Sequence, residues 1–145
     1  MRKQLKSILF VSVLSLSVFS CSEDKVVTND ELPQEIQTYV QTHFPNSNIV
    51  QATMDDEMIS KTYEIVLENN MKLEFDSDNN ISEIDSSTEL PDSVVPTPIL
   101  EYVKTNYPNN KIMDMDIDDN KQSVELDNQM ELEFDKDDGQ FLKID

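Results

Sequence analysis

An internal repeat constrains the fold of this chain more than any other feature of its sequence. Residues 39–46 (YVQTHFPN) return 63 positions later as residues 102–109 (YVKTNYPN). Residues 71–76 (MKLEFD) return 59 positions later as residues 130–135 (MELEFD), so the second copy has lost about four residues between its first strands. Because two copies share one pattern, each structural prediction is supported by two segments of sequence.

The first 20 residues have the pattern of a secretory signal peptide. Arg2, Lys3 and Lys6 form a basic start, and residues 8–19 form an apolar stretch that is too short to span a membrane. We predict a signal peptide over residues 1–20 that is removed from the mature protein.

Cys21 is the only cysteine, and residues 18–21 (VFSC) are similar to the cleavage box of bacterial lipoproteins. We predict that the Cys21 thiol is lipidated; the alternative is ordinary cleavage that leaves a free thiol. The polar residues 21–30 predict a tether. Because Glu23 and Asp24 resemble the surface-export signals of some Gram-negative lipoproteins, we expect an outer-membrane lipoprotein of the cell envelope that faces either the periplasm or the surface.

Each copy is predicted to begin with a helix. Apolar residues recur every four positions, which places them on one face of a helix and turns that face toward a core. A proline follows each stripe directly, and proline cannot continue a helix. The two stripes are Ile36, Val40 and Phe44 in the first copy and Ile99, Val103 and Tyr107 in the second.

Period-two alternation then predicts four strands in each copy, with one buried face and one solvent face. The residues expected in the core are Val50, Ala52, Met54, Tyr63, Ile65, Leu67, Met71, Leu73, Phe75, Ile81 and Ile84 in the first copy. In the second they are Met113, Met115, Ile117, Val124, Leu126, Met130, Leu132, Phe134, Phe141, Leu142 and Ile144. Hairpin turns that tolerate a left-handed backbone are predicted at Asn69-Asn70, Asn79-Asn80, Asp127-Asn128 and Asp138-Gly139.

The predicted fold is therefore α+β and consists of two tandem repeats. Each repeat is one helix followed by a four-stranded antiparallel meander, and the helices pack on one face of the sheet. Residues 31–85 form repeat 1, the proline-containing residues 86–98 form a linker, and residues 99–145 form repeat 2.

The charge of the mature chain excludes one class of partner. Without the basic start of the signal peptide, eight lysines and no arginine remain against 30 acidic residues, a formal charge of about −22. Nucleic acids and anionic lipids need clustered basic residues, so we expect neither as the ligand of the folded domain. A basic protein, a divalent cation, or plain solubility remain as explanations of the charge.

The repeated motif resembles the PepSY-like family of exported lipoproteins, which are described as β-lactamase-inhibitor-protein-like domains. The resemblance covers residues 30–145 and both copies. It is carried in the first copy by Leu32-Pro33, Tyr39, Phe44-Pro45, Ile49 and Leu73-Glu74-Phe75-Asp76, and in the second by Leu90-Pro91 or Pro96, Tyr102, Tyr107-Pro108, Ile112, Leu132-Glu133-Phe134-Asp135 and Gly139. The resemblance implies tandem α+β units whose sheet has an open face for a partner, and it implies no established activity.

The solvent face of the sheet is the best candidate for a binding surface. Like charges on neighbouring strands repel one another, and a cationic partner or a bound cation would relieve that repulsion. The alternative is a solvated face with mobile counterions. The residues predicted to form this surface are Asp114, Asp116, Glu125, Glu131 and Glu133.

Two aspartate-rich loops offer oxygen ligands of the kind that calcium prefers. Residues 76–80 (DSDNN) and 135–139 (DKDDG) depart from the EF-hand spacing, because glycine is missing from the sixth position and glutamate from the twelfth. We interpret both as hairpin turns first and as weak calcium sites second. The candidate ligands are Asp76, Asp78, Asp135 and Asp137.

No catalytic motif is evident in the sequence. His43 is the only histidine, and no serine lies in a nucleophile elbow. We therefore predict that the protein is not an enzyme but a lipid-anchored binding module of the envelope that presents its acidic sheet face to a protein or peptide partner. An inhibitor-like role is what the resemblance to the PepSY-like family implies. The alternative is an envelope domain that responds to calcium.

Overall fold

The computed structural model of the protein describes residues 24–57 and 60–145. The elements follow in the order β1 (Lys25–Val26), α1 (Gln34–His43), β2 (Ile49–Glu57), β3 (Ser60–Leu67), β4 (Lys72–Phe75), β5 (Ile81–Asp85), α2 (Thr97–Asn106), β6 (Ile112–Ile117), β7 (Lys121–Leu126), β8 (Glu131–Asp135) and β9 (Phe141–Ile144). The predicted signal peptide and the predicted lipidation at Cys21 lie outside the described residues.

The predicted fold class is wrong. The described residues form one nine-stranded antiparallel sheet in the order β1 to β9, with only two short helices. The molecule is therefore dominated by a single sheet rather than divided into two helix-plus-four-strand repeats. The cause is the pairing of β5 with β6, in which Ile84 lies opposite Met115 and Asp85 lies opposite Asp114. An edge strand exposes unpaired backbone groups, and the two expected sheets satisfy theirs by joining.

Both helices pack on the same face of this sheet through the predicted stripes. Ile36 and Ile99 are fully buried, as expected from the four-residue spacing. On α1 the Tyr39 ring packs edge-on against Phe75, with 5.5 Å between ring centroids. The corresponding rings on α2 are Tyr102 and Phe134, at 5.4 Å.

The core lies between the helices and one row of side chains that crosses the sheet. In antiparallel strands, residues directly opposite one another project to the same face. The row contains Ala52, Ile65, Leu73, Ile84, Met115, Val124 and Leu132, each of which is buried. The opposite face is thereby left to the polar residues of each strand, and it carries the candidate site.

A β-bulge occurs at the same place in both copies. The pairing of β2 with β3 shifts between Ile49 and Gln51, and that of β6 with β7 shifts between Ile112 and Asp114. The extra residues are Val50, which is 59% exposed, and Met113, which is only partly buried. The prediction that both face the core is wrong, because a bulge breaks the strict alternation on which it was based.

The last strand also departs from the predicted core. Leu142 and Ile144 are about half exposed, at 50% and 51%. Leu142 is the extra residue of another bulge, since Glu133 pairs with Lys143 while Phe134 pairs with Phe141. Because β9 ends the sheet, no further strand covers these side chains.

The segments that precede the helices are packed against the sheet. Within residues 21–30, for which we predicted a tether, β1 pairs with β2 and Val27 is 7% exposed. Within residues 86–98, for which we predicted a linker, Leu90, Val94 and Val95 are buried, and the Leu90 N–H donates to the carbonyl of Ile112 at 2.8 Å.

Both helices are shorter than a membrane-spanning helix. Each helix has ten residues and is therefore about 15 Å long, roughly half the thickness of the hydrocarbon core of a bilayer. Among the described residues, no helix has the length and hydropathy of a membrane span.

Candidate functional site

The face of the sheet opposite the helices carries two rows of carboxylates. Each row runs across the strands, and its members lie directly opposite one another on neighbouring strands. Row one is Glu64, Glu74, Glu83 and Asp116, on β3 to β6. Row two is Asp85, Asp114, Glu125 and Glu131, on β5 to β8. Since neighbouring strands are about 4.8 Å apart, each row brings like charges close together.

Asp114 lies on β6, which together with β5 carries carboxylates of both rows. The pKa of its carboxyl group is raised to about 7, mainly by burial and in addition by the negative charges of Glu83, Asp85, Glu125 and Asp116. The pKa values of Glu83 and Asp116 are also raised, in both cases mainly by burial. The centre of this face therefore holds carboxylates that are poorly solvated and repel one another.

Lysines neutralise the ends of the acidic face rather than its centre. Lys72 lies 3.2 Å from Glu64 at the start of row one. At the other end, Glu133 is 4% exposed and forms ion pairs with Lys121 and with Lys143, the latter at 3.5 Å. Among the described residues, none of the ion pairs includes a carboxylate of row two.

The structure brings together most of the residues predicted to bind a partner. Asp114, Glu125 and Glu131 lie in row two, and Asp116 lies in row one. Glu133 is on the same face, but it is shielded by its lysines. Whether any of these residues contacts a partner stays a prediction.

Sequence reasoning missed the contribution of β5. Glu83 and Asp85 join the two copies of the repeat into one acidic face, because they lie opposite Asp116 and Asp114. The signal was present in the sequence, since Ile84 is flanked by both acids. Ile81 and Ile84 are three positions apart, so they do not fit a strict period-two alternation. The bulge in the pairing of β4 with β5 causes this shift, and the sequence alone therefore did not show which side chains of β5 face solvent.

The aspartate-rich loops form hairpin turns. One carboxylate oxygen of Asp76 accepts hydrogen bonds from the backbone N–H groups of Asp78 and Asn80, both at 2.9 Å. Asp135 does the same in the second loop, accepting from the N–H of Asp137 at 2.9 Å. These oxygens stabilise the turns, as short acidic side chains commonly do.

The arrangement of these loops does not form a ready-made metal site. Among residues 24–57 and 60–145, no three His, Cys, Asp or Glu side chains are grouped so that they could hold a metal ion. Asp76 lines a cavity of 820 Å³ with Asp118 and Asp119, but Lys121 and Lys136 line it too. Their charges oppose a cation there, so calcium binding by these loops stays a prediction.

His43 makes a contact that resembles part of a catalytic triad. Its Nδ1 lies 3.0 Å from the Ser93 hydroxyl, and its ring packs on Tyr39 at 4.4 Å. A triad also needs an acid on the other ring nitrogen to orient the base. The hydrogen bonds among the described residues give His43 no such acid.

Comparison of the sequence with known families gives a match over both copies. The model of the family described as "Putative beta-lactamase-inhibitor-like, PepSY-like" matches residues 19–83 and again residues 61–143. No curated protein sequence matches the chain.

Solved structures from two Bacteroides species have the same fold. A "putative calcium-regulated periplasmic protein" from Bacteroides thetaiotaomicron is 34% identical, with a TM-score of 0.79 over 84% of this chain and 96% of that one. A "putative periplasmic protein" from Bacteroides vulgatus is 34% identical, with a TM-score of 0.80 over 86% and 98%. A second Bacteroides vulgatus periplasmic protein, of unknown function, is 25% identical, with a TM-score of 0.78 over 85% and 99%.

Proposed function

Because this chain belongs to the PepSY-like family of β-lactamase-inhibitor-like domains, we propose that it is a non-catalytic periplasmic module that binds a cationic protein or peptide on its acidic face. The similar Bacteroides proteins are described as periplasmic, which supports that compartment. The family description supports a binding role over an enzymatic one.

The two carboxylate rows are the observation that carries this proposal. An extended cationic segment laid across the strands would meet a carboxylate on each strand it crosses. Repulsion between Asp114 and its neighbours raises the free energy of the unbound protein. A bound cationic group attracts these carboxylates and relieves the repulsion, which favours the complex. Complementary charge also accelerates association, and this effect weakens as salt is added.

A charge-neutral variant of row two tests the proposal. The variant is Asp114→Asn/Glu125→Gln/Glu131→Gln, and the probe is a lysine-rich peptide measured by isothermal titration calorimetry. We expect the affinity to fall about tenfold or more, since each lost contact between opposite charges contributes a few tenths to 1 kcal/mol.

The matched control removes the same charge elsewhere. Glu35→Gln/Glu68→Gln/Glu101→Gln neutralises three exposed acids that lie outside the two rows. We expect it to bind the peptide nearly as tightly as the unaltered protein. An equal loss of affinity in both variants would mean that only net charge matters, and the acidic face would then not be a site.

The anchor is a separate part of the proposal. We propose that Cys21 carries the lipid and holds the module at the outer membrane, on the periplasmic or the surface side. Metabolic labelling with an alkyne fatty acid, followed by fractionation, tests this. We expect the label on the unaltered protein and not on Cys21→Ser; an unlabelled protein that fractionates with the soluble periplasm would contradict it.

A calcium response is the second candidate, supported by the description of the similar Bacteroides thetaiotaomicron protein as calcium-regulated. A ligand that binds only the native state stabilises it by about 2.7 kcal/mol at 100 times its Kd. We expect millimolar calcium to raise the Tm more than sodium chloride of equal ionic strength. Asp76→Asn/Asp135→Asn would abolish the extra shift if the loops are responsible, whereas the row-two variant would abolish it if the acidic face is.

A further inference from the structure

A groove beside helix α1 is lined by no charged residue. It encloses a cavity of 330 Å³ between α1 and the start of β2. Val40, Phe44 and Ile49 form its apolar floor, and the polar residues of its rim are neutral. Those rim residues are Asn29, Gln37, Gln41, Ser47 and Asn48.

The same place in the second copy is already filled. The counterpart of the groove lies between α2 and the start of β6, and only 40 Å³ remains open there. Leu90 occupies it: this side chain is 3% exposed and lines the remaining cavity together with Val103 and Ile112. The Leu90 N–H donates to the carbonyl of Ile112 at 2.8 Å, so an extended segment of the chain is seated on this groove.

A difference in chain length explains why the first groove is open. Val27 and Ile84 are equivalent, because they lie opposite the repeat-related residues Ala52 and Met115. Helix α1 begins seven positions after Val27, whereas α2 begins 13 positions after Ile84. The six additional residues provide the segment that carries Leu90, and the first copy has no counterpart of it.

The charges around the two grooves differ in a way that identifies the occupant. In the second copy Lys104 pairs with Asp92 at 2.6 Å and Lys111 pairs with Glu89 at 3.4 Å, so two exposed ion pairs match the two acids of the seated segment. The repeat places Gln41 and Asn48 at the positions of these lysines. The open groove therefore lacks the cations that hold an acidic segment.

We infer that the groove between α1 and β2 binds an extended, uncharged peptide segment of a partner protein that presents a leucine or valine to Val40 and Ile49. A backbone N–H of that segment donates to the carbonyl of Ile49, as Leu90 does to Ile112. The side chains of Gln41 and Asn48 supply hydrogen bonds to its polar groups. The groove is separate from the acidic face, so the test of peptide binding in the groove does not depend on the function proposed for the acidic face.

The chain supplies its own probe. The peptide SSTQLPNSVV is the seated segment, residues 86–95, with Glu89→Gln and Asp92→Asn, and its parent SSTELPDSVV keeps both acids. Titration of the ¹⁵N-labelled mature protein is followed by NMR. We expect the neutral peptide to shift amide signals of residues 37–52 and to bind about threefold to tenfold more tightly than the acidic one.

Reversal of this preference is the stronger test. Gln41→Lys/Asn48→Lys restores the two lysines of the second copy at exposed positions, and we expect the acidic peptide to become the tighter ligand. A neutral peptide with Leu90→Ser should not bind either protein. Absence of shifts in the groove, or equal affinity for both peptides in both proteins, would overturn the inference. A dimer in sedimentation that buries the groove would instead identify a second copy as the occupant and would also overturn it.

Discussion

At Asp114, burial and neighbouring charge raise the pKa of a single carboxyl group in the same direction. Its pKa in the folded protein is about 7, above the ordinary value of 3.8. The folded state therefore holds the proton more tightly than the unfolded state does. The free energy of unfolding accordingly falls as the pH rises from about 4 to about 7. Above that range Asp114 is ionised in both states, and the loss of stability that it causes no longer changes with pH.

We predict that Asp114→Asn stabilises the protein only where the carboxylate is charged. The free energy of unfolding should rise by about 1–2 kcal/mol at pH 8, after allowance for solvent screening, and by much less near pH 4. Urea unfolding at both pH values measures it, with the exposed Asp119→Asn as the control. An equal effect of Asp114→Asn at both pH values would contradict the assigned cause.

Glu133 belongs to the same face, but unlike Asp114 it is paired with lysines. Its carboxylate is almost completely buried, and Lys121 and Lys143 compensate its charge. Loss of one partner leaves a buried charge only half compensated, which is costly. Its role is therefore to hold β7, β8 and β9 together at the end of the acidic face.

A double-mutant cycle tests this role. We predict that Lys121→Met lowers the free energy of unfolding by about 1–3 kcal/mol alone and by clearly less when Glu133→Gln is also present. Chemical unfolding of the four proteins gives the coupling energy. Additive effects would show that the ion pair contributes nothing specific.

At the scale of the element, the hairpin turns show how little glycine this β-rich chain needs. Positive φ angles occur at Asn70 (61°), Asn79 (65°), Gln129 (67°) and Gly139 (69°). Three of these residues lie in the predicted turns, and the fourth, Gln129, directly follows the predicted turn at Asp127-Asn128. Glutamine lacks the short side chain that lets asparagine tolerate this conformation, so the turn between β7 and β8 is strained.

We predict that Gln129→Gly stabilises the protein by about 0.5–1 kcal/mol, because glycine adopts a positive φ without steric cost. Asn70→Gly should change stability less, since asparagine already tolerates that backbone. Thermal unfolding of both variants measures the difference. A larger gain at Asn70 than at Gln129 would contradict the explanation.

The elements also show where sequence reasoning works. The helices were predictable because apolar residues that recur every four positions over a segment of this length match the period of a helix and not that of a strand. The bulges were not, because Ile49-Val50 and Ile112-Met113 are both apolar pairs and alternation cannot decide which member faces the core. The acids of row two were predictable on β6, β7 and β8 from alternation alone, whereas Asp85 of β5 was not.

At the scale of the whole molecule, the join between β5 and β6 decides the architecture. Ile84 and Met115 are fully buried opposite each other at this join. The sequence could not reveal it, because an edge strand and a central strand of an antiparallel sheet have the same alternating pattern. The two copies consequently share one core. The last strand of the first copy, β5, pairs with the first strand of the second copy, β6.

We predict that the protein unfolds in one cooperative transition. Ile84→Ala should lower the free energy of unfolding by about 2–5 kcal/mol, and native-state hydrogen exchange should show lost protection in β3 and in β7 alike. Val50→Ala, at an exposed bulge position, is the matched control and should have little effect. Separate transitions for the two copies would contradict a shared core.

The order of the strands has a further consequence for how this chain acquires its structure. Every strand lies beside its neighbour in sequence from β1 to β9, so none must wait for a segment from the distant end of the polypeptide. Such local connectivity lowers the entropic cost of closing the loop in each hairpin and favours rapid folding for a sheet of this width. The sheet can form from two sets of consecutive hairpins, β2 to β5 and β6 to β9, which then join where β5 pairs with β6 across helix α2.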